Sequence, residues 1–173
     1  MKKFRFLLLD AGPIIKLFEL EIWDSFIKNC DVTISQTVAN QAKYASQEFE
    51  DVCIDVEPYK EQGLIKIIDV TPSVVKTFYQ NFNLRYKADI HDGEKETLAF
   101  LCDSSEDWRV CSADGAVFRV LGLLGKGNQG VSLEEVLNKI GLSQHLEPKY
   151  TKDFRVKYTR LGQIDSVQDQ GLL

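Results

Sequence analysis

The chain has 173 residues, 44% hydrophobic and 27% charged, enough to bury the core of one domain. Its formal net charge of −5 excludes indiscriminate nucleic-acid binding through overall charge, while a local basic groove remains compatible with it. No segment approaches the roughly 18 apolar residues that span a bilayer, and residues 1–9 are too short and lack a small-residue cleavage site for a signal peptide, so a cytoplasmic protein with no membrane partner is expected.

In chain order, residues 4–10 read as a buried strand, a nearly continuous apolar run ended by Asp10-Ala11-Gly12-Pro13. Pro13 suits the first turn of a helix, and apolar spacing carries that helix through Ile14, Leu17 and Phe18 to Trp23. Val32-Thr33-Ile34 is a second strand, after which Ser35 can cap a helix running through Val38, Ala42 and Ala45. Residues 46–63 are polar, contain Pro58 and Gly63, and read as loop with a short helix. Residues 64–70 alternate as a strand, and Thr71-Pro72 opens a helix with Val75, Phe78 and Phe82 inward. A helix follows over 92–103, a strand over 108–113 and a helix over 114–124. Asn128-Gln129-Gly130 is a turn, and Ser132 with Glu135 forms a capping box for a short helix ending near Gly141. This alternation predicts a three-layer α/β/α sandwich with a mostly parallel central sheet. The domain is placed at 1–141, with 142–173 as a C-terminal extension docked on it or at a subunit interface.

Two of these strands end on an aspartate, Asp10 and Asp114, and His91-Asp92-Gly93-Glu94-Lys95-Glu96 opens the helix between them. A carboxylate at the carboxyl edge of a parallel sheet stands where open α/β folds place their ligands. Three of them brought together would form an oxygen-only site for Mg²⁺ or Mn²⁺. Each aspartate alone serves equally well as a helix N-cap; the three at one predicted edge favour the metal reading. Helical phase selects Glu94 over Glu96, because Leu98 and Leu101 lie four and seven residues beyond it on the same face. Glu96 shares a side with Phe100 and is assigned to the surroundings of the site.

The ordered set Leu7-Leu8-Leu9-Asp10-Ala11-Gly12-Pro13, Gly93-Glu94-Lys95-Glu96-Thr97-Leu98-Ala99 and Ser112-Ala113-Asp114 with Phe118-Arg119 resembles the PIN-domain family over about residues 4–141. The likeness is to its small prokaryotic ribonuclease toxins in particular. The resemblance implies a Mg²⁺- or Mn²⁺-dependent ribonuclease, with Asp10, Glu94 and Asp114 as metal ligands and catalytic residues. It also implies RNA as substrate, an antitoxin protein as partner, and a homodimer. Ser112 either contacts water or phosphate at the rim or stabilises the turn after its strand. Many PIN nucleases carry a further glutamate on the helix after the second strand, and here Gln41 occupies that place; Glu48 and Glu50 are near but at the wrong spacing. An amide oxygen can ligate a metal but brings no charge. A catalytically degenerate RNA- or protein-binding module is therefore the alternative reading. A haloacid-dehalogenase-type phosphatase would need a second aspartate, and Asp10-Ala11-Gly12 lacks it.

His91, just ahead of the acidic helix, either contacts substrate or, the favoured reading, is a capping or surface histidine, and His145 has no evident partner. The glycine-rich stretch 122–130 lacks the GxxxxGK[ST] phosphate-loop pattern and reads as a helix end and turn. Residues 149–160 carry five basic residues against one acid, with Tyr150, Phe154 and Tyr158 every four positions. That stripe either binds single-stranded nucleic acid or, the favoured reading, docks on the domain or a second subunit. Arg119 either reaches a phosphate or pairs with an acid as a structural tie. Cys30, Cys53, Cys102 and Cys111 show no CxxC pairing and are read as buried thiols of a reducing compartment.

Overall fold

A computed structural model describes residues 4–48 and 52–173, the side chains of 46–48 excepted. Residues 1–3, Glu50 and the side chain of Glu48 thus lie outside the described residues. Strand β1 (Phe4–Leu9) leads into α1 (Ala11–Glu19) and α2 (Trp23–Asn29), then β2 (Cys30–Ser35), α3 (Gln36–Glu48) and α4 (Glu57–Glu61). β3 (Ile65–Ile68) is followed by α5 (Pro72–Gln80), α6 (Leu84–Asp89) and α7 (Asp92–Asp103). β4 (Arg109–Cys111), α8 (Gly115–Leu123), β5 (Gly130–Val131), α9 (Leu133–Ile140) and α10 (Lys152–Val167) complete the chain.

The strands form one five-stranded sheet in the order β3-β2-β1-β4-β5, every pair parallel. Successive side chains of a strand face opposite ways, so the continuous apolar sequence of β1 feeds two cores. Leu7 and Leu9 pack with Ile14 and Leu17 of α1, Phe26 of α2, Val38 of α3 and Val136 of α9. Leu8 packs on the other face with Phe78 of α5, Leu98 of α7 and Phe118 of α8. Helices on both faces of a parallel sheet make this a three-layer α/β/α sandwich.

α10 lies along α8, where Gly122 and Gly162 meet: a Cβ on either would overlap a backbone carbonyl of the other helix, that of Thr159 or of Arg119. Phe154 and Tyr158 turn toward the Phe118 core, and Tyr150 is buried in the opposite one. Arg155 binds Glu135 through two hydrogen bonds of 2.7 and 2.8 Å. The aromatic stripe thus faces the protein. Among the described residues, no helix is long and apolar enough to cross a membrane.

The expected single helix over 14–23 is instead two. Ile22 N–H bonds Leu17 O and Glu21 N–H bonds Phe18 O, with Glu21 at φ +58°, which is a Schellman stop. Glutamate rather than glycine holds its left-handed position, so the sequence gives no signal for it. α6, started by an Asn83 side chain that accepts from Tyr86 N–H, and the two-residue β5 were also unexpected. Cys30 and Cys111 are buried as expected, but Cys102 is only partly covered and Cys53 is exposed.

Candidate metal centre

The sheet order reverses between β1 and β4. From β1 the chain passes through α1 toward β2 on one side; from β4 it passes through α8 toward β5 on the other. α1 and α8 pack on opposite faces, which leaves a crevice beyond the carboxyl ends of β1 and β4, the ligand position of open α/β sheets. Asp10 and Asp114 are the residues that leave those two strand ends, each as the N-cap of its helix.

Asp10, Gln41, His91, Glu94, Asp114 and Lys149 line the cleft there, which has a volume of about 270 Å³. All three expected carboxylates are therefore brought to one place, and all three also serve the capping role. Asp10 Oδ1 accepts from Ala11 N–H at 2.8 Å, Asp114 Oδ1 from Ala116 N–H at 2.7 Å, and Glu94 Oε2 from His91 N–H at 2.9 Å. Cap and ligand are compatible, since a carboxylate has a second oxygen. For Glu94 and Asp114 that oxygen faces His91, whose Nδ1 lies 3.5 Å from Glu94 Oε1 and 4.0 Å from Asp114 Oδ2. Ligand atoms of His91, Glu94 and Asp114 all fall within 4.8 Å of one another. Asp10 borders this group, but its second oxygen accepts from Ser112 Oγ at 2.7 Å.

Burial pushes the Glu94 carboxyl up to about 8, with the charges of Asp10 and then Asp114 adding to the rise. Burial likewise raises the Asp10 carboxyl, opposed by the hydrogen bonds from Ser112 and Ala11. Ionising this cluster in a low-dielectric crevice is therefore costly unless positive charge enters it. The carboxylates of Glu94 and Asp114 are oxygen donors of the kind Mg²⁺ and Mn²⁺ take, whereas the imidazole of His91 adds a nitrogen donor more typical of transition metals, so the group is not the oxygen-only set that the sequence suggests.

The remaining expected residues divide. Gln41 lines the cleft, its amide oxygen close enough to α7 that a Cβ on Gly93 would lie 2.5 Å from it. Ser112 is fully buried rather than at the rim; it donates to Asp10 and accepts from Asp114 N–H at 3.0 Å, so it orients one carboxylate and fixes the turn carrying the other. Glu96 accepts from Thr37 Oγ1 at 2.8 Å, tying α7 to α3 outside the cleft. Arg119 pairs with Asp165 at 2.6 Å and stands 5.2 Å from the Tyr86 ring centroid, so it is a tie for α10 and not a cleft residue. Lys149 enters the cleft unexpectedly, and His91 borders it as the exposed N-cap of α7. For His91 the signal was present: a residue three positions before Glu94 at a helix start shares its turn. No protein-family model matches this chain, and neither does any curated protein or solved structure.

Proposed function

We propose that the chain is a Mg²⁺- or Mn²⁺-dependent endoribonuclease of PIN type. The observation that carries this reading is the meeting of Asp10, Glu94 and Asp114, from three separate elements, at the sheet's switch point. The ordered PIN-like motifs supply the substrate class, RNA, and suggest the toxin of a toxin–antitoxin pair as the setting.

In this reading Glu94 and Asp114 would hold the ion through the oxygens their caps leave free, with His91 beside them and Asp10 completing the negative wall. A bound divalent cation supplies the positive charge that offsets charge developing on the phosphate oxygens and favours ionisation of the attacking water. Ser112 keeps Asp10 from rotating away from the cleft. Lys149 at the rim offers a cation for a flanking phosphate of the strand. Hydrolysis forms one P–O bond to water and breaks one P–O bond to ribose; the water's proton passes to solvent or a cleft base, and the leaving ribose oxygen takes up a proton from solvent.

A second reading, a PIN-like binding module without turnover, is favoured by one observation: the cleft position on α3 carries the neutral Gln41. Purified protein incubated with RNA and Mn²⁺ separates the two. The nuclease reading expects cleavage that EDTA stops and that Asp10→Asn and Asp114→Asn each reduce by about a hundredfold or more. Undiminished cleavage by both variants overturns the mechanism, and absence of metal-dependent cleavage by pure wild type selects the binding module.

A further inference from the structure

The amino end of the sheet carries a second concave site, and it starts from a fault in β1. Phe4 pairs with Cys30 and Leu7 with Val32, so three steps on β1 match two on β2: a bulge. Phe6 sits in it at φ +52°, a left-handed backbone that is strained for an aromatic residue. Bulges re-aim side chains. Here Arg5 is exposed, with its guanidinium 5.3 Å from the Phe6 ring centroid, and Phe6 meets Trp108 edge-on at 5.3 Å. Beside them opens a pocket of about 620 Å³ at the amino ends of β1, β4 and β5. That is a volume typical of small-molecule sites. Along β1 it lies roughly 15–20 Å from the carboxylate cleft.

The pocket draws four cations, Arg5, Arg109, Lys139 and Arg155, and two acids, Asp107 and Glu135. Both acids are taken: Asp107 by Arg109 at 3.2 Å and Glu135 by Arg155 at 2.7 Å. Arg5 and Lys139 make no ion pair among the described residues; Lys139 Nζ instead stands 4.5 Å from the Phe4 ring centroid. Two cations without an ion pair among the described residues thus share one hollow on a chain of net charge −5. We infer that this pocket binds a small organic phosphate, its phosphate held by Arg5 and Lys139 and its organic part packed on the half-buried ring of Phe6. The guanidiniums of Arg109 and Arg155, already fixed by their acids, present further donors without a new ordering cost. The inference stands apart from the nuclease reading, because none of these residues borders the cleft.

Calorimetric titration of the full chain without divalent metal, using adenosine monophosphate, inorganic phosphate and adenosine as probes, tests it. The monophosphate is expected to bind below about 1 mM, at least about tenfold more tightly than either inorganic phosphate or adenosine, and more weakly as salt rises. The double variant Arg5→Gln/Lys139→Gln should lose about tenfold or more in affinity with an unchanged melting temperature, since both side chains are exposed. Asp114→Asn should bind as wild type does. Binding untouched by the double variant, or abolished by Asp114→Asn, overturns the site; inorganic phosphate binding as well as the monophosphate overturns the organic ligand. No binding of any probe up to about 10 mM overturns the inference entirely.

Discussion

Ser112 Oγ donates to Asp10 Oδ2 at 2.7 Å, so the exit of β4 holds in place the carboxylate at the exit of β1. The same hydroxyl accepts from Asp114 N–H at 3.0 Å, and one buried atom thereby couples two of the three cleft acids. Ser112→Ala removes both bonds and leaves a buried carboxylate oxygen and an amide without partners. The expected cost is about 1–3 kcal/mol in denaturant unfolding. Mn²⁺ affinity, followed by titration, should fall about tenfold as Asp10 loses its orientation. A variant with wild-type stability and wild-type metal affinity would show that the hydroxyl does neither.

Glu94 gives the metal-free protein a pH dependence of definite sign. Its carboxyl is raised from the ordinary 4.5 to about 8 by burial, Asp10 and Asp114. Between those values the folded protein keeps a proton that the unfolded chain has released, so stability falls as pH rises through this window and levels off above it. Glu94→Gln, which keeps an oxygen for His91 N–H, removes the titration. Unfolding measured from pH 5 to 9 without metal should show the variant gaining on wild type by on the order of a few kcal/mol. A constant gap across that range would contradict the buried, acid-flanked carboxyl. Mn²⁺ added at pH 8 should narrow the gap by stabilising wild type.

What could be read from residue order is local. α7 spans 92–103 as its phase demanded, and that phase points Glu94 inward because Leu98 and Leu101, on its face, are fully buried. Ser132 and Glu135 cap α9 as their spacing required. The features that escaped depend on distant partners or on unmarked backbone. For Arg119 a tie to an acid was one of two readings, but its partner Asp165 lies 46 residues away and is set by the docking of α10. Glu21 and Phe6 adopt left-handed backbone without the glycine that would announce it. The place of His91 beside Asp114 follows only from the sheet order.

The α8–α10 crossing depends on two glycines. A Cβ on Gly122 would overlap the Thr159 carbonyl, and one on Gly162 the Arg119 carbonyl. Alanine in a helix is favoured over glycine by about 1 kcal/mol, yet here backbone cannot yield as a flexible side chain would. Gly122→Ala and Gly162→Ala should each destabilise by about 3 kcal/mol or more and free α10 from α8. Thermal unfolding measures the loss, and amide hydrogen exchange in residues 152–167 should rise. Neutral substitutions would mean that the two helices separate without cost.

Gln41→Glu distinguishes a cleft built around a cation from one that is merely acidic. The side chain already lies in the cleft against Gly93, so glutamate adds a fourth carboxylate with little change in shape. Without metal, the added charge meets Asp10, Glu94 and Asp114 at short range, and the melting temperature at pH 8 should fall. With Mn²⁺ the same charge becomes a ligand. The dependence of melting temperature on Mn²⁺ concentration should then show about tenfold tighter binding than wild type, with the deficit recovered at saturation. If the cleft is instead a surface for RNA or protein that needs no ion, the variant stays destabilised at every Mn²⁺ concentration. That outcome would remove the metal from the site and the nuclease reading with it.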